Sequence, residues 1–418
     1  MQRSLSESQL YTILESMKLI NSTLDLDELL PIIMREITVN LKADRSTLYI
    51  VDDDKQEIWS KIAQGNTKIE IRQKIGKGVS GYVAKTGENI NVKNAYQDAR
   101  FNPEFDKKTG YRTKSILCLP VFDKAKKIIG VLQILNKKNG EFTIEDETFT
   151  SVFSDYIALA IQNAQLYQEA LERKKLQNEI SVASEIQKLL LPESLPKYQN
   201  YEFYAFHQPS RQIGGDYYDF FVHPNFLFLI LADVAGKGIP AALLMANLQA
   251  TTRNLIEKYP SNLDLIKAIN KQLFSVTTPD KYATLVWGNL DPKRHILKYI
   301  NAGNIPPLHF AREGKKIYHT KLSNGGIPVG MLPEFEFTEG TINFNSTDIV
   351  LICSDGITEA QDQAGNMFEE SRLVGIVQEN FQKDTHHIGK EIIKQVREFS
   401  QDGIYEDDIT LILLRRKY

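Results

Sequence analysis

The sequence predicts an α+β chain of more than one domain: an N-terminal α/β domain, a long helix, and a C-terminal sandwich of sheets with helices outside. Three observations carry this reading. At 418 residues the chain is long for a single hydrophobic core. A helical pattern runs from Thr143 to about Leu191 without a glycine or proline to break it. From Tyr198 to Tyr418 short apolar runs of strand length dominate, interrupted by a few helical stretches.

Residues 1–21 have the pattern of a short amphipathic helix. Asp25 to Leu41 repeats Leu26, Leu29, Leu30, Ile33 and Ile37 at helical spacing. STLYIVD, IWSKIAQ and IEIRQKI are expected strands, and GVSGYVAKTG a short helix closed by Gly87. SILCLPVFD and KIIGVLQILN are two further strands joined by a charged turn at Asp123–Lys127. This first domain is bounded at 22–168.

The long helix carries apolar residues at Phe153, Ile157, Ala160, Ala164, Tyr167 and Leu171, in alternating steps of four and three. That is a coiled-coil seam, expected over 153–191. Lys174 occupies the next seam position, and the pattern restarts at Leu176, Ile180, Ala183, Ile186 and Leu190, a shift of phase like a stutter. Two readings are open: a helix packed against its own domain, or a dimer-forming helix that connects two domains. The second is favoured. Pro192 and Pro196 end the helix.

The remaining domain spans 193–418. Its expected strands are YEFYAFHQP, DYYDFFVHP, NFLFLILADV, ATLVWGNLD, HILKYINAG, DIVLICSDG and ITLILLRR. Its expected helices are PAALLMANLQATTRNLIEKY, NLDLIKAINKQLF and HIGKEIIKQVREFSQ.

Bulk composition narrows the function. Fifty basic and 53 acidic residues give a net charge of only −3, with no basic block to bind nucleic acid or a membrane surface. Cys118 and Cys353 both lie inside apolar runs and read as buried free thiols of a reducing compartment. No apolar stretch approaches the ~18 residues of a membrane span, and MQRSLSESQLYTILESM lacks the apolar centre of a signal peptide. A cytoplasmic protein is expected.

The chemistry is carried by aspartates. Asp216 opens DYYDFFV and Asp233 closes NFLFLILADV; in a hairpin, the start of one strand lies beside the end of the next. Asp355 in LICSDGITEA and Asp407 in EDDITLILL also stand at strand ends, and Asp408 is adjacent to Asp407. Any one of these alone reads as a turn aspartate. Together they form an all-oxygen donor set suited to Mg²⁺ or Mn²⁺. Gly214 and Gly215 let the backbone approach an ion or phosphate, and the helix that begins at Pro240 would favour an anion nearby. No nucleophile motif is present; a pair of such cations would instead activate a water for in-line attack on phosphorus. His207 reads as an acid or a packed strand histidine, and Arg211 as a phosphate ligand or a solvated arginine.

GGDYYDF, DVAGKGIPAALLM, NAGNIPPL, GGIPVGML, SDGITEA and DDITLILL occur in this order. Over 193–418 the chain thereby resembles the PPM superfamily of metal-dependent Ser/Thr protein phosphatases, in the bacterial branch typified by the SpoIIE and RsbU phosphatases. The resemblance implies an α-β-β-α sandwich holding two Mn²⁺ or Mg²⁺ ions. Asp216, Asp233, Asp355 and Asp407 would be the metal and catalytic residues, with the backbone carbonyl of Val234; an exchange of roles between Asp407 and Asp408 stays open. It also implies a substrate phosphorylated on serine or threonine, of the kind represented by anti-sigma-factor antagonist proteins.

In the first domain, NAYQDARFNPEFDKKTGYRTKSILCLPV resembles GAF domains, small-molecule sensors built on a six-stranded sheet. Asn136-Lys137, Phe142 and Asp146-Glu147 fit the N-K…F-x-x-x-D-E motif of cyclic-nucleotide-binding GAF domains. An ion pair between Lys137 and Asp146 would tie the last strand to the outgoing helix. By alignment with such domains, Thr47, Ser80, Asp106, Thr109, Thr113 and Gln133 fall at pocket positions, whereas Ala63 stands where relatives place a stacking aromatic residue. The implied regulator is a cyclic nucleotide or another small ligand; a GAF domain that only dimerises is the alternative. The chain as a whole then reads as a homodimeric phosphatase gated by its GAF domain, or else as a ligand-gated binding protein with a catalytically weak phosphatase-like domain.

Overall fold

A computed structural model describes residues 25–63, 70–278, 280–400 and 405–417, together with Tyr11. The helix expected over 1–21 lies outside the described residues apart from Tyr11. The chain divides into two compact units, residues 1–175 and 176–418.

In the first unit, helix α1 (Leu26–Asn40) starts at Asp25, whose carboxylate accepts the amide proton of Asp27 at 2.8 Å, an N-cap. It leads into β1 (Ala43–Asp52), β2 (Glu57–Ala63) and β3 (Arg72–Lys74). Then follow α2 (Gly78–Thr86), β4 (Ile90–Val92), α3 (Glu104–Thr109), β5 (Ile116–Phe122) and β6 (Ile128–Lys137). The strands form one six-stranded sheet in the order β3-β2-β1-β6-β5-β4, with antiparallel pairing throughout. Alternation along the strands gives the sheet two apolar faces. Leu48, Leu119, Leu132 and Ile134 meet Leu30, Ile33 and Ile37 of α1 on one face. Tyr49, Cys118 and Val131 meet Val79 and Val83 of α2 on the other.

Helix α4 (Ile144–Leu190) is 47 residues long, as the unbroken pattern predicts. Its seam is not one surface. Phe153, Ile157 and Ala160 are buried in the first unit's own core, against α1 and the sheet. This corrects the expectation of a coiled coil starting at 153. A stripe that covers a sheet and a stripe that faces a second helix share the same spacing, so periodicity does not separate them. The open part of the stripe comes later, with Tyr167 50% and Leu176 55% exposed. The boundary between the two units falls just after Lys174, where the pattern changes phase.

The second unit begins β7 (Tyr201–Gln208), β8 (Tyr217–Val222), β9 (Leu227–Val234), α5 (Ile239–Leu255), α6 (Asn262–Val276). It continues β10 (Ala283–Asp291), β11 (Ile296–Ala302), β12 (Leu308–Glu313), β13 (Lys316–Lys321), β14 (Gly325–Gly326), β15 (Gly340–Asn343) and β16 (Ile349–Cys353). It ends α7 (Asp355–Thr358), α8 (Glu369–Glu379), α9 (Thr385–Phe399) and β17 (Ile409–Arg416).

One sheet runs β14-β11-β10-β9-β8, with β15 beside β11; the other runs β13-β12-β16-β17-β7. Leu229, Leu231 and Val286 of the first interdigitate with Val350, Ile352 and Ile412 of the second. Met245 and Leu248 of α5 and Ile266 and Ile269 of α6 cover the outer face of the first sheet. Ile376 of α8 and Ile388 and Ile392 of α9 cover the outer face of the second. The result is an α-β-β-α sandwich. Sequence pattern alone does not separate α8, which buries only Leu373, Ile376 and Val377, or the short strands β13 to β15.

Candidate active site

The β8–β9 hairpin pairs Tyr217 with Ala232, so the next rung outward juxtaposes Asp216 and Asp233. The β16–β17 ladder pairs Cys353 with Leu411, which brings Asp355 and the Asp407-Asp408 turn to the same end of the other sheet. Strand ends from both layers thus deliver the carboxylates to one rim of the sandwich.

Asp216 is 1% exposed. Its Oδ2 accepts the hydroxyl proton of Thr410, while its Oδ1 is buried without a hydrogen-bond partner. Burial, reinforced by the charges of Asp233 and Asp408, holds its carboxyl well above the usual carboxylate range. Asp233 is pushed up to about 7 by burial and by the nearby charges of Asp355, Asp407 and Asp408. Asp355 is raised by burial and by Asp407. Carboxylates that raise one another in this way form a site in want of positive charge.

Asp407 and Asp408 are told apart by their partners. Asp408 Oδ2 accepts the amide protons of Gly215 (2.6 Å) and Asp216 (3.3 Å), and its Oδ1 accepts from the amide and hydroxyl of Ser210. Its hydrogen bonds are spent on holding the Gly214-Gly215-Asp216 turn. A Cβ on Gly214 would lie 2.2 Å from Asp408 Oδ2, which is why this turn needs glycine. Asp407 keeps a half-exposed carboxylate, paired with Lys237 at 2.9 Å. The carbonyl of Val234 lies 3.0 Å from where a Cβ on Gly215 would stand, beside the same turn.

Among the described residues, no three His, Cys, Asp or Glu side chains are drawn together closely enough to hold an ion as they stand. The donor chemistry nevertheless fits a hard cation: four carboxylates, a backbone carbonyl beside them, and a buried carboxylate oxygen with no other partner. The orphaned oxygen is the observation that decides the fit.

His207 is on β7, and its Nδ1 lies 3.0 Å from Thr410 Oγ1. The single hydroxyl proton of Thr410 goes to Asp216, so His207 Nδ1 is the donor and supports the ligand through Thr410. Burial lowers its basicity. Ser354 donates to the carbonyl of Asp408 and accepts the amide proton of Thr410. Arg211 is exposed, with Nη1 3.9 Å from the Cβ position of Gly238, where α5 begins. Thr410, Ser354, Lys237 and Gln187 are absent from the sequence-based set; they are ordinary polar residues, made visible only by contacts with residues distant in the chain or, for Gln187, by a bond to Gly214 described below.

In the first unit, Thr47 and Gln133 face each other across β1 and β6. Tyr49 donates to Gln133 Oε1 at 3.3 Å, and Ser80 accepts from Gln73 Nε2 at 2.6 Å. Asp106 accepts from Tyr96, from the amide of Thr113 and from the hydroxyl of Thr113, and so pins its own loop. The side chain of Thr109 lies outside the described residues. Lys137 and Asp146 form the expected ion pair, with side chains 15% and 9% exposed; Asp146 also accepts the amide proton of Thr143 and caps α4. Asn136 accepts from the amides of Lys114 and Ser115 and donates to Tyr111 and to the carbonyl of Arg112. The motif therefore acts as a clasp. Cys118 and Cys353 are both buried free thiols, and no helix among the described residues is long and apolar enough to cross a membrane.

Comparison with known proteins agrees with this architecture. Residues 224–417 match the family described as "Stage II sporulation protein E (SpoIIE)", and residues 25–161 match the GAF domain. The phosphoserine phosphatase RsbU of Bacillus subtilis is 26% identical over 245 residues, covering 59% of this chain and 72% of RsbU. A probable 3′,5′-cyclic phosphodiesterase of Caenorhabditis elegans is 42% identical over 137 residues; that match covers 30% of this chain and only 19% of the phosphodiesterase. Among solved structures, the SiaA PP2C domain of Pseudomonas aeruginosa superposes with a TM-score of 0.52 at 18% identity, covering 59% of this chain and 99% of that domain. Residues 25–161 thus carry a GAF domain, and residues 224–417 a domain of the SpoIIE family.

Proposed function

We propose that the C-terminal domain is a Mn²⁺- or Mg²⁺-dependent protein phosphatase acting on phosphoserine or phosphothreonine, and that a small molecule bound by the GAF domain regulates it. The observation that carries the reading is the buried, unpartnered Oδ1 of Asp216, set among carboxylates where burial and then mutual repulsion lift Asp233 to about 7. Asp216, Asp233, Asp355 and Asp407, with the Val234 carbonyl, would hold two cations. When bound, these supply charge stabilisation and an activated water for attack on phosphorus. Thr410 and His207 keep Asp216 aimed at the site. Lys237 and Arg211 stand near the N-terminus of α5 and supply positive charge for the phosphoryl oxygens.

The substrate is a phosphorylated protein of the anti-sigma-factor antagonist kind, a reading supported by the family resemblance. Regulation runs through α4, whose apolar residues from Tyr167 to Ile186 are open to pair with a second copy. A cyclic nucleotide is the first ligand to test, supported by the clasp at Asn136, Lys137 and Asp146 and by the similarity to phosphodiesterases over the GAF region.

The test is Mn²⁺-dependent hydrolysis of an aryl phosphate by the full chain and by Asp233→Asn. The substitution is expected to remove more activity than the roughly 10–100-fold lost with outer-shell ligand partners. Equal rates in the two proteins would leave a binding module rather than an enzyme.

A further inference from the structure

The last turn of α4 reaches the metal-site turn directly. Gln187 Nε2 donates to the carbonyl of Gly214 at 2.8 Å, and Gln187 Oε1 accepts the amide proton of Gly214 at 3.1 Å. One side-chain amide therefore satisfies both backbone groups of a single residue, as a neighbouring strand would. Gly214 carries no side chain that could hold it, and a Cβ there would collide with Asp408. Its neighbour Gly215 gives its amide proton to Asp408, and Asp216 follows in the chain. The turn that aims Asp216 is thus pinned on one side by Asp408 and on the other by Gln187.

The helix end is itself seated. Leu190 and Leu191 pack on the core under α5, and the carbonyl of Leu190 accepts from Gln249 Nε2 at 3.2 Å. Upstream, Val182 and Ile186 are more than half exposed, so little else in the second unit holds this stretch. Both bonds from Gln187 form together or break together, because they come from one planar amide.

We infer that Gln187 is a positioning residue for the metal site: it fixes the backbone of Gly214, and through it the aim of Asp216, only while the C-terminal turn of α4 is docked. The inference rests on the proposed metal-dependent activity, and it adds the residue through which the helix acts on that activity. A side chain outside the aspartate motifs would then set both the affinity for the cations and the turnover rate, without touching substrate.

The experiment compares the full chain with Gln187→Ala, Gln187→Glu and Asp233→Asn. Amide hydrogen exchange in the segment 210–217 is followed without added metal, Mn²⁺ binding by titration calorimetry, and turnover with para-nitrophenyl phosphate. In Gln187→Ala, exchange at Gly214 and Gly215 is expected to rise at least about tenfold. The Mn²⁺ dissociation constant should rise by a similar factor, and kcat should fall at saturating Mn²⁺ with little change in KM. Gln187→Glu retains the acceptor for the Gly214 amide but sets a carboxylate against its carbonyl, so it should lie between the two. If Gln187→Ala fails to fold, Gln187→Glu alone decides by the same measurements. Wild-type exchange and wild-type Mn²⁺ affinity in these variants would overturn the inference while Asp233→Asn still loses metal. If the wild-type chain itself bound no Mn²⁺, the proposed activity would fall, and the effect on metal affinity with it; unchanged exchange at Gly214 would then remove the pin as well.

Discussion

Lys237 Nζ lies 2.9 Å from Asp407 Oδ2 and also donates to the carbonyl of Glu406. An ammonium thus holds a carboxylate that the proposed reaction needs for a cation. Both side chains are more than one-third exposed, so water screens the pair and its worth is at most about 1 kcal/mol. Removing it in Lys237→Met should therefore tighten Mn²⁺ binding by no more than about fivefold at low salt, with the difference shrinking as salt is added. Calorimetric Mn²⁺ titration at two ionic strengths checks this; weaker binding in the variant would show that Lys237 organises Asp407 rather than competing for it.

Asp407 and Asp408 should separate in opposite ways. Asp408 accepts four hydrogen bonds from Ser210, Gly215 and Asp216 and is nearly buried. Asp408→Ala strands these donors and should cost about 2–3 kcal/mol of stability in the C-terminal domain. Asp407→Ala should leave the melting temperature of the metal-free protein within a few degrees and abolish the stabilisation that Mn²⁺ confers. Thermal unfolding with and without Mn²⁺ distinguishes the two.

The raised pKa of Asp233 gives a definite pH dependence. In the folded, metal-free protein this carboxyl releases its proton near 7, against about 4 when unfolded. Between those values the folded state binds more protons at this group, so its contribution makes stability decline as pH rises from about 4 to about 7. Asp233→Asn should flatten that slope. Denaturant unfolding of metal-free protein across this range measures it, and a stability that climbs steadily through the window would contradict the carboxylate cluster.

The clasp in the GAF domain predicts a local cost. Asp146 and Lys137 are nearly buried, and Asp146 also caps α4. Asp146→Ala leaves an unpaired buried ammonium and the Thr143 amide without its acceptor, and should destabilise the N-terminal domain by about 3–5 kcal/mol. Unfolding monitored by Trp59, which lies in that domain, should shift, while Trp287 in the C-terminal domain should report no change.

Much of the fold is legible in the sequence because its signals are local. Asp25 before Leu26, Gly87 after Thr86, and the absence of any breaker between Thr143 and Leu191 mark helix ends within a residue or two. The hairpin that opposes Asp216 to Asp233 follows from two strands and a short turn. Helix α8 and strands β13 to β15 are less legible, since they are short and half-exposed and their pairing is set by neighbours distant in the chain.

By itself, the sequence determined the order of the domains, the length of the joining helix and the four carboxylates at strand ends, because each depends on residue type and spacing along the chain. Only the tertiary structure decided that the helix stripe is buried at Phe153, Ile157 and Ala160 and open at Tyr167. It alone gave Asp408 to the glycine turn while leaving Asp407 facing Lys237, and it alone brought Gln187 and Thr410 to that turn and to Asp216. The physical reason is that a polar side chain acquires its role from the partner it meets, and these partners come from other elements of the fold.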